Sequence, residues 1–203
     1  MSKIKAIAIN CTLKADASEK SSTDAMIAVL ADAFGDHDVE ITETVRVAAL
    51  DIKPGVTSDE GDGDDWPALR TKILAHDILI FGGPIWMGQI GSVAKRVLER
   101  MDAFLGETDD AGRMPSYGKV AVAAIVGNED GAHFSSAQLF QSLNDTGWTI
   151  PAVAACYWVG EAMGDVDFQD LPDTPEKVTK TAKMVASNAA HLAGLLKASP
   201  FPG

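Results

Sequence analysis

Positive charge is scarce in this chain: 17 Lys and Arg stand against 29 Asp and Glu in 203 residues, a formal net charge of −12. That balance excludes general nucleic-acid binding, which needs Lys and Arg to displace counterions from phosphates, and it disfavours adhesion to anionic membranes. Long apolar runs are missing as well. Nothing approaches the ~20 residues needed to cross a bilayer, and Met1-Ser2-Lys3-Ile4-Lys5 leads into no signal-peptide core or cleavage site. The cytoplasm is therefore the expected location. Cys11 and Cys156 form neither a CxxC pair nor a metal-ligand spacing, so they read as small reduced hydrophobes. Also absent are GxGxxG and GxxxxGK[ST], which removes the dinucleotide-binding fingerprint and the P-loop.

What the chain has is ample core material, 46% hydrophobic against 23% charged, at a length that suits a single domain over residues 1–203. Short apolar runs alternate with helix-length amphipathic segments. Strands are expected at Ile4–Asn10, Val39–Val45, Asp77–Phe81, Lys119–Val126 and Ile150–Cys156. Three of them, IKAIAIN, DILIF and KVAVAAIV, are nearly continuous apolar runs, the pattern of parallel strands covered on both faces. Helices are expected at Ser22–Phe34, Asp64–His76, Ser92–Leu105, Ala132–Thr146 and Thr174–Lys197. A β-α unit repeated five times implies an α/β fold, a doubly wound five-stranded parallel sheet of order 2-1-3-4-5 with helices on both faces. In that order the two cysteines lie three strands apart, about 14 Å, too far for a disulfide.

Ligands of such sheets bind beyond the carboxyl ends of the strands, where the strand order reverses. Three segments converge there. Asn10 to Thr23 carries Thr12, Lys14, Ser18, Ser21, Ser22 and Thr23 into a helix start, where hydroxyls and free amides suit an anion; an ordinary N-cap is the plainer reading. Gly82 to Gly91 offers close backbone approach and the apolar surface of Trp86 and Met87. Its Ile80-Phe81-Gly82 has no strand-end Asp, which excludes a phosphoacceptor receiver site. Gly127 to His133 is polar and glycine-rich, with Asp130 placed to cap the fourth helix and His133 a candidate proton donor. The run Asp59-Glu60-Gly61-Asp62-Gly63-Asp64-Asp65 does not match an EF-hand and reads as a solvated loop capping the second helix, so no metal is expected. Two loops are long, Gly106 to Gly118 and Tyr157 to Asp173; the second, rich in Tyr, Trp and Gly, is expected to join the active site or a subunit contact.

Together the three loops resemble the flavodoxin-like NAD(P)H-dependent FMN reductase and quinone reductase family. Cys11-Thr12-Leu13-Lys14 and Ser21-Ser22-Thr23 stand where that family has G-S-x-R and S-x-T. Pro84-Ile85-Trp86, followed by Ala94-Lys95 and Leu98-Glu99-Arg100, stands for P-[IV]-Y, L-K and I-D-R, and Gly127 to Gly131 is similar to its third flavin loop. The resemblance spans Ile4 to Cys156. It implies FMN with its phosphate on Thr12, Lys14, Ser18, Ser21, Ser22 and Thr23. The ring would be held by Pro84, Ile85, Trp86, Met87, Gly88 and Gln89 together with Gly127, Asn128, Glu129, Asp130 and Gly131. It further implies NAD(P)H as co-substrate, a quinone, flavin or similar acceptor, and a homodimer or homotetramer. The chemistry would be flavin-borne, with backbone amides near Gly88 and Gly131 stabilising negative charge on the reduced ring. Lys14 replaces a bidentate arginine with a point charge, which implies a looser phosphate grip. The competing readings are a flavodoxin-type electron carrier and a flavin-free binding module on the same fold.

Overall fold

The computed structural model describes residues 3–202. In chain order its elements are β1 (Lys5–Asn10), α1 (Ser22–Gly35), β2 (Glu40–Arg46), α2 (Trp66–Leu74), β3 (Ile78–Trp86) and β4 (Gln89–Ile90). There follow α3 (Ser92–Met101), β5 (Val120–Gly127), α4 (Ala132–Asp145), β6 (Ala155–Val159) and α5 (Glu176–Ala198). Five strands lie parallel in the order β2-β1-β3-β5-β6, the flavodoxin-like winding expected from the alternation, and β4 pairs antiparallel with the end of β3.

Alternation along the central strands splits the core in two. Ala6, Ala8, Ile78, Ile80, Val120 and Val122 face α1 and α5, while Ile7, Ile9, Leu79, Phe81, Ala121 and Ala123 face α2, α3 and α4. The small alanines of β1 and β5 let helices close on the sheet from both sides. Cys11 belongs to one core layer and Cys156 to the other. Burial pushes the Cys156 thiol up to about 12 and the Cys11 thiol higher still, so both are inert fillers.

Three boundaries depart from the sequence reading. The third strand does not stop at Phe81: it runs on through Gly82-Gly83-Pro84 to Trp86, then turns back as β4. The fifth strand is not Ile150–Cys156. Pro151 has no N–H to give a ladder, Val153 turns left-handed at φ 55°, and pairing resumes only from Ala155. The acidic run is not simply solvated either. Asp64 and Arg100 form an ion pair whose side chains are both fully buried, at 2.7 Å, with Arg100 also donating to the Thr57 and Lys53 carbonyls. Asp64, rather than Asp65, accepts from the first N–H of α2, at Trp66.

Candidate functional site

The ends of β1, β3, β5 and β6 frame a cleft of about 400 Å³ at the reversal of strand order. Its first wall is the β1–α1 loop. Asn10 is fully buried, and its Oδ1 accepts from Thr12 N–H at 2.9 Å while its Nδ2 donates to Ser21 Oγ and Asp24. Ser21 caps α1 by accepting from Asp24 N–H, and Ala25 N–H returns to the Ser21 carbonyl. The first-turn N–H groups of Ser22 and Thr23 thus have no intrahelical acceptor, and with the helix dipole they form an anion-binding end. Asp24, the one carboxylate in that turn, is paired by Arg46. Lys14 lines the same end, its Nζ donating 2.6 Å to the Lys20 carbonyl.

The second wall is the end of β3, Pro84-Ile85-Trp86, and the third is Val126-Gly127 at the end of β5 with Asn128-Glu129 after it. Trp158 of β6 and Met163, Asp167 and Phe168 of the β6–α5 loop close the cleft. Asn128 ties that loop down: its carbonyl accepts from Met163 N–H at 3.0 Å and its Nδ2 donates to Asp167 Oδ1 at 2.8 Å. Gln169 N–H donates to Ser22 Oγ at 3.3 Å, so the loop also touches the start of α1. The Trp158 and Phe168 rings meet at a 46° tilt with centroids 5.5 Å apart.

The cleft therefore gathers Thr12, Lys14, Ser21, Ser22, Thr23, Pro84, Ile85, Trp86, Gly127, Asn128 and Glu129 from the residues expected. Ser18, Met87, Gly88, Gln89, Asp130 and Gly131 do not line it. Ser18 is exposed in an Asp16-centred turn, its N–H held at 2.8 Å by Asp16. Met87 and Gly88 are the tip of the β3–β4 hairpin, with Trp86 opposite Gln89 across the ladder. Gly131, at φ 113°, is itself the N-cap position of α4 and packs on Gly88, leaving Asp130 exposed and no cap. His133 sits outside the cleft wall, with Nε2 3.0 Å from the Tyr157 hydroxyl, so it is not brought to the site. The amides of Met87 and Gly88 do not point to open space: they donate to the two oxygens of Glu129, at 2.7 and 3.2 Å. Sequence reasoning assigned no site role to Leu13, Val126, Trp158, Asp167, Phe168 and Met163 individually. The aromatic and glycine content of the long loop carried a signal for the last three, but only packing could choose among its residues.

A family profile described as NADPH-dependent FMN reductase matches residues 4–163. The chain belongs to that family. It is 31% identical over 208 residues to 8-demethyl-8-aminoriboflavin-5′-phosphate synthase of Streptomyces davaonensis, across 98% of this chain and 80% of that protein. The solved structure of RosB with bound 8-demethyl-8-formylriboflavin-5′-phosphate superposes with a TM-score of 0.86 at 29% identity, over 98% of this chain and 82% of that one. A protein of Mycobacterium bovis named divalent metal cation transporter MntH is 34% identical over 202 residues, 96% of this chain, yet the chain spans only 29% of its length. Among the described residues here, no helix is long and apolar enough to cross a membrane.

FMN is the flavin of this reductase family, and the donor set fits it. Hydroxyls of Thr12, Ser21 and Thr23, all nearly buried, meet two free helix amides and Lys14 at one end, as a phosphate monoester requires. Ile85, Trp86, Val126, Trp158 and Phe168 give the rest of the cleft flat apolar walls, as a ring system requires.

Proposed function

We propose that this chain binds FMN in the cleft and passes reducing equivalents from NAD(P)H to a small-molecule acceptor such as a quinone or a flavin. The observation that supports this reading is the division of one cleft into an anion end on α1 and an aromatic end on β3, β5 and the β6–α5 loop. Bound flavin supplies the hydride chemistry; the chain supplies position, electrostatics and shelter from water. Thr12, Ser21, Ser22, Thr23 and Lys14 hold the phosphate. Ile85, Val126, Trp158 and Phe168 exclude water from the ring end. Trp86, 53% exposed, marks the side left open for a second substrate.

A second reading has an observation of its own. The likeness to an aminoriboflavin-5′-phosphate synthase and to RosB extends over four fifths of both proteins, and it favours FMN as the compound transformed rather than as a retained cofactor.

One experiment separates these. The purified protein is incubated with FMN, desalted, and followed by visible absorbance through anaerobic addition of NADPH or NADH; the flavin is then extracted and weighed by mass spectrometry. Retained bands that bleach, with flavin mass unchanged, are the expected result. A changed mass favours the flavin-transforming reading. Bands that never bleach favour an electron carrier, and a colourless protein overturns FMN binding.

A further inference from the structure

The hairpin between β3 and β4 is a two-residue turn with both central residues left-handed, Met87 at φ 53° and Gly88 at φ 74°. Asn-Gly is the usual pair for such a turn; Met is a poor choice for its first position. Its side chain makes no amends by packing, since it is 88% exposed. What holds the tip is Glu129. Its Oε1 accepts from Met87 N–H at 2.7 Å and its Oε2 from Gly88 N–H at 3.2 Å, so one carboxylate spans two adjacent backbone donors from across the cleft edge. Gly131 lets the third loop come this close: a Cβ there would collide with the Gly88 carbonyl.

The resemblance implies that amides near Gly88 stabilise negative charge on a reduced ring. Here they are satisfied, and by a group that adds a charge of its own to the cleft wall. Among the described residues Glu129 enters no ion pair. No Lys or Arg stands anywhere between Lys119 and Lys177. The other charged residues lining the cleft are Lys14, at the opposite end, and Asp167, held by Asn128; Asp130 and His133 (paired with Tyr157) lie on the loop of Glu129, and Glu161 and Asp165 on the loop that closes the cleft.

We propose that Glu129 sets the redox-state preference of the cleft, favouring the neutral oxidised flavin and disfavouring the negatively charged reduced one. The proposal rests on the FMN reading given above. It makes Glu129 a positioning residue for the hairpin and an electrostatic one for the ligand, and it implies that reduced flavin leaves this site more readily than oxidised flavin.

The test is a pair of dissociation constants, for oxidised FMN and for dithionite-reduced FMN under anaerobic conditions, in wild type, Glu129→Gln and Glu129→Asp. The expected result is that Glu129→Gln tightens reduced FMN relative to oxidised FMN by about tenfold, the scale of one unit charge acting across a protein site at an effective dielectric near 20. Glu129→Asp keeps the charge and should keep the wild-type ratio. A purely structural clamp would weaken both redox states together; that outcome, or an unchanged ratio, overturns the proposal. Should Glu129→Gln fail to fold, the two dissociation constants of wild type at rising salt serve instead: screening of the Glu129 charge should tighten reduced FMN relative to oxidised FMN, and a ratio independent of salt overturns the proposal. Failure of wild type to bind FMN in either state counts against the FMN reading rather than against the role of Glu129.

Discussion

Asp64 and Glu129 are both held by backbone amides, and they teach opposite lessons. Asp64 accepts from the N–H groups of Glu60, Trp66 and Lys53 and is paired with Arg100, all inside the fold. Burial alone would raise its carboxyl, but the guanidinium and the three amides outweigh burial and hold it well below the usual carboxylate range. Glu129 accepts from two amides and, among the described residues, enters no ion pair. The first charge is cancelled where it lies and serves the α2–α3 face; the second is left uncancelled on a cleft wall. Both accept from more than one backbone amide, and it is burial together with a counter-charge that separates a structural device from a charge a ligand can feel.

The largest effect expected follows from breaking the cancelled pair. Arg100→Met leaves Asp64 buried and uncompensated and should cost about 3–5 kcal/mol, the scale for removing one partner of a buried ion pair. Denaturant unfolding measures it. FMN retained per folded molecule should be unchanged, because the pair lies outside the cleft. If flavin binding fell and stability did not, the division drawn here would be wrong.

The pair also has a pH signature. Because the Asp64 carboxyl is lower in the folded chain than its unfolded value near ~3.9, its stabilisation is fully present above that pH. It declines as pH falls below about 4 and is gone only below the folded-state value. Wild type should therefore lose stability steeply through this acid range, and Arg100→Met less steeply. Urea midpoints at a series of pH values check the slope.

A middle-sized effect tests the opposite end of the cleft. Lys14→Met should weaken FMN about tenfold, the low end for a hydrogen bond to a charged group, and leave riboflavin, which lacks the phosphate, nearly unaffected. Isothermal titration with both flavins decides it. Equal loss for the two would mean that Lys14 shapes the loop through its bond to Lys20 rather than meeting the phosphate.

Much of this was legible in the sequence because it is written locally. Apolar runs without alternation gave the parallel strands, and Ser21 ahead of an amphipathic segment gave the start of α1 and with it the anion end. What escaped reading is non-local. Nothing in Gly82-Gly83-Pro84 announces that the strand continues, since its pairing partner lies on β5. Asp64 and Arg100 sit 36 positions apart, and one acid in a run of five gives no sign of being the buried one. Asp167 and Phe168 reach the cleft only through the Asn128 and Ser22 anchors. The start of the glycine-rich third loop borders the cleft, but the occupation of the hairpin amides by Glu129 depends on an approach of two loops 41 residues apart.

The smallest effect is the most discriminating about Glu129. Met87 in the left-handed region costs roughly 1 kcal/mol for a residue with a Cβ. Gly there would relieve the strain but lose about 0.5–1 kcal/mol to the extra freedom of the unfolded chain, so Met87→Gly should be close to neutral. Asn tolerates the conformation without that entropy, and no packing is lost at so exposed a site. Met87→Asn should therefore stabilise by about 0.5 kcal/mol. If Glu129 is what holds Met87 in place, the gain should be larger in a Glu129→Ala background, where the turn must stand unaided, and a double-mutant cycle reads the difference. Equal gains in the two backgrounds would show a turn indifferent to the carboxylate, and the hydrogen bonds from Met87 and Gly88 would then be a consequence of the hairpin rather than its support.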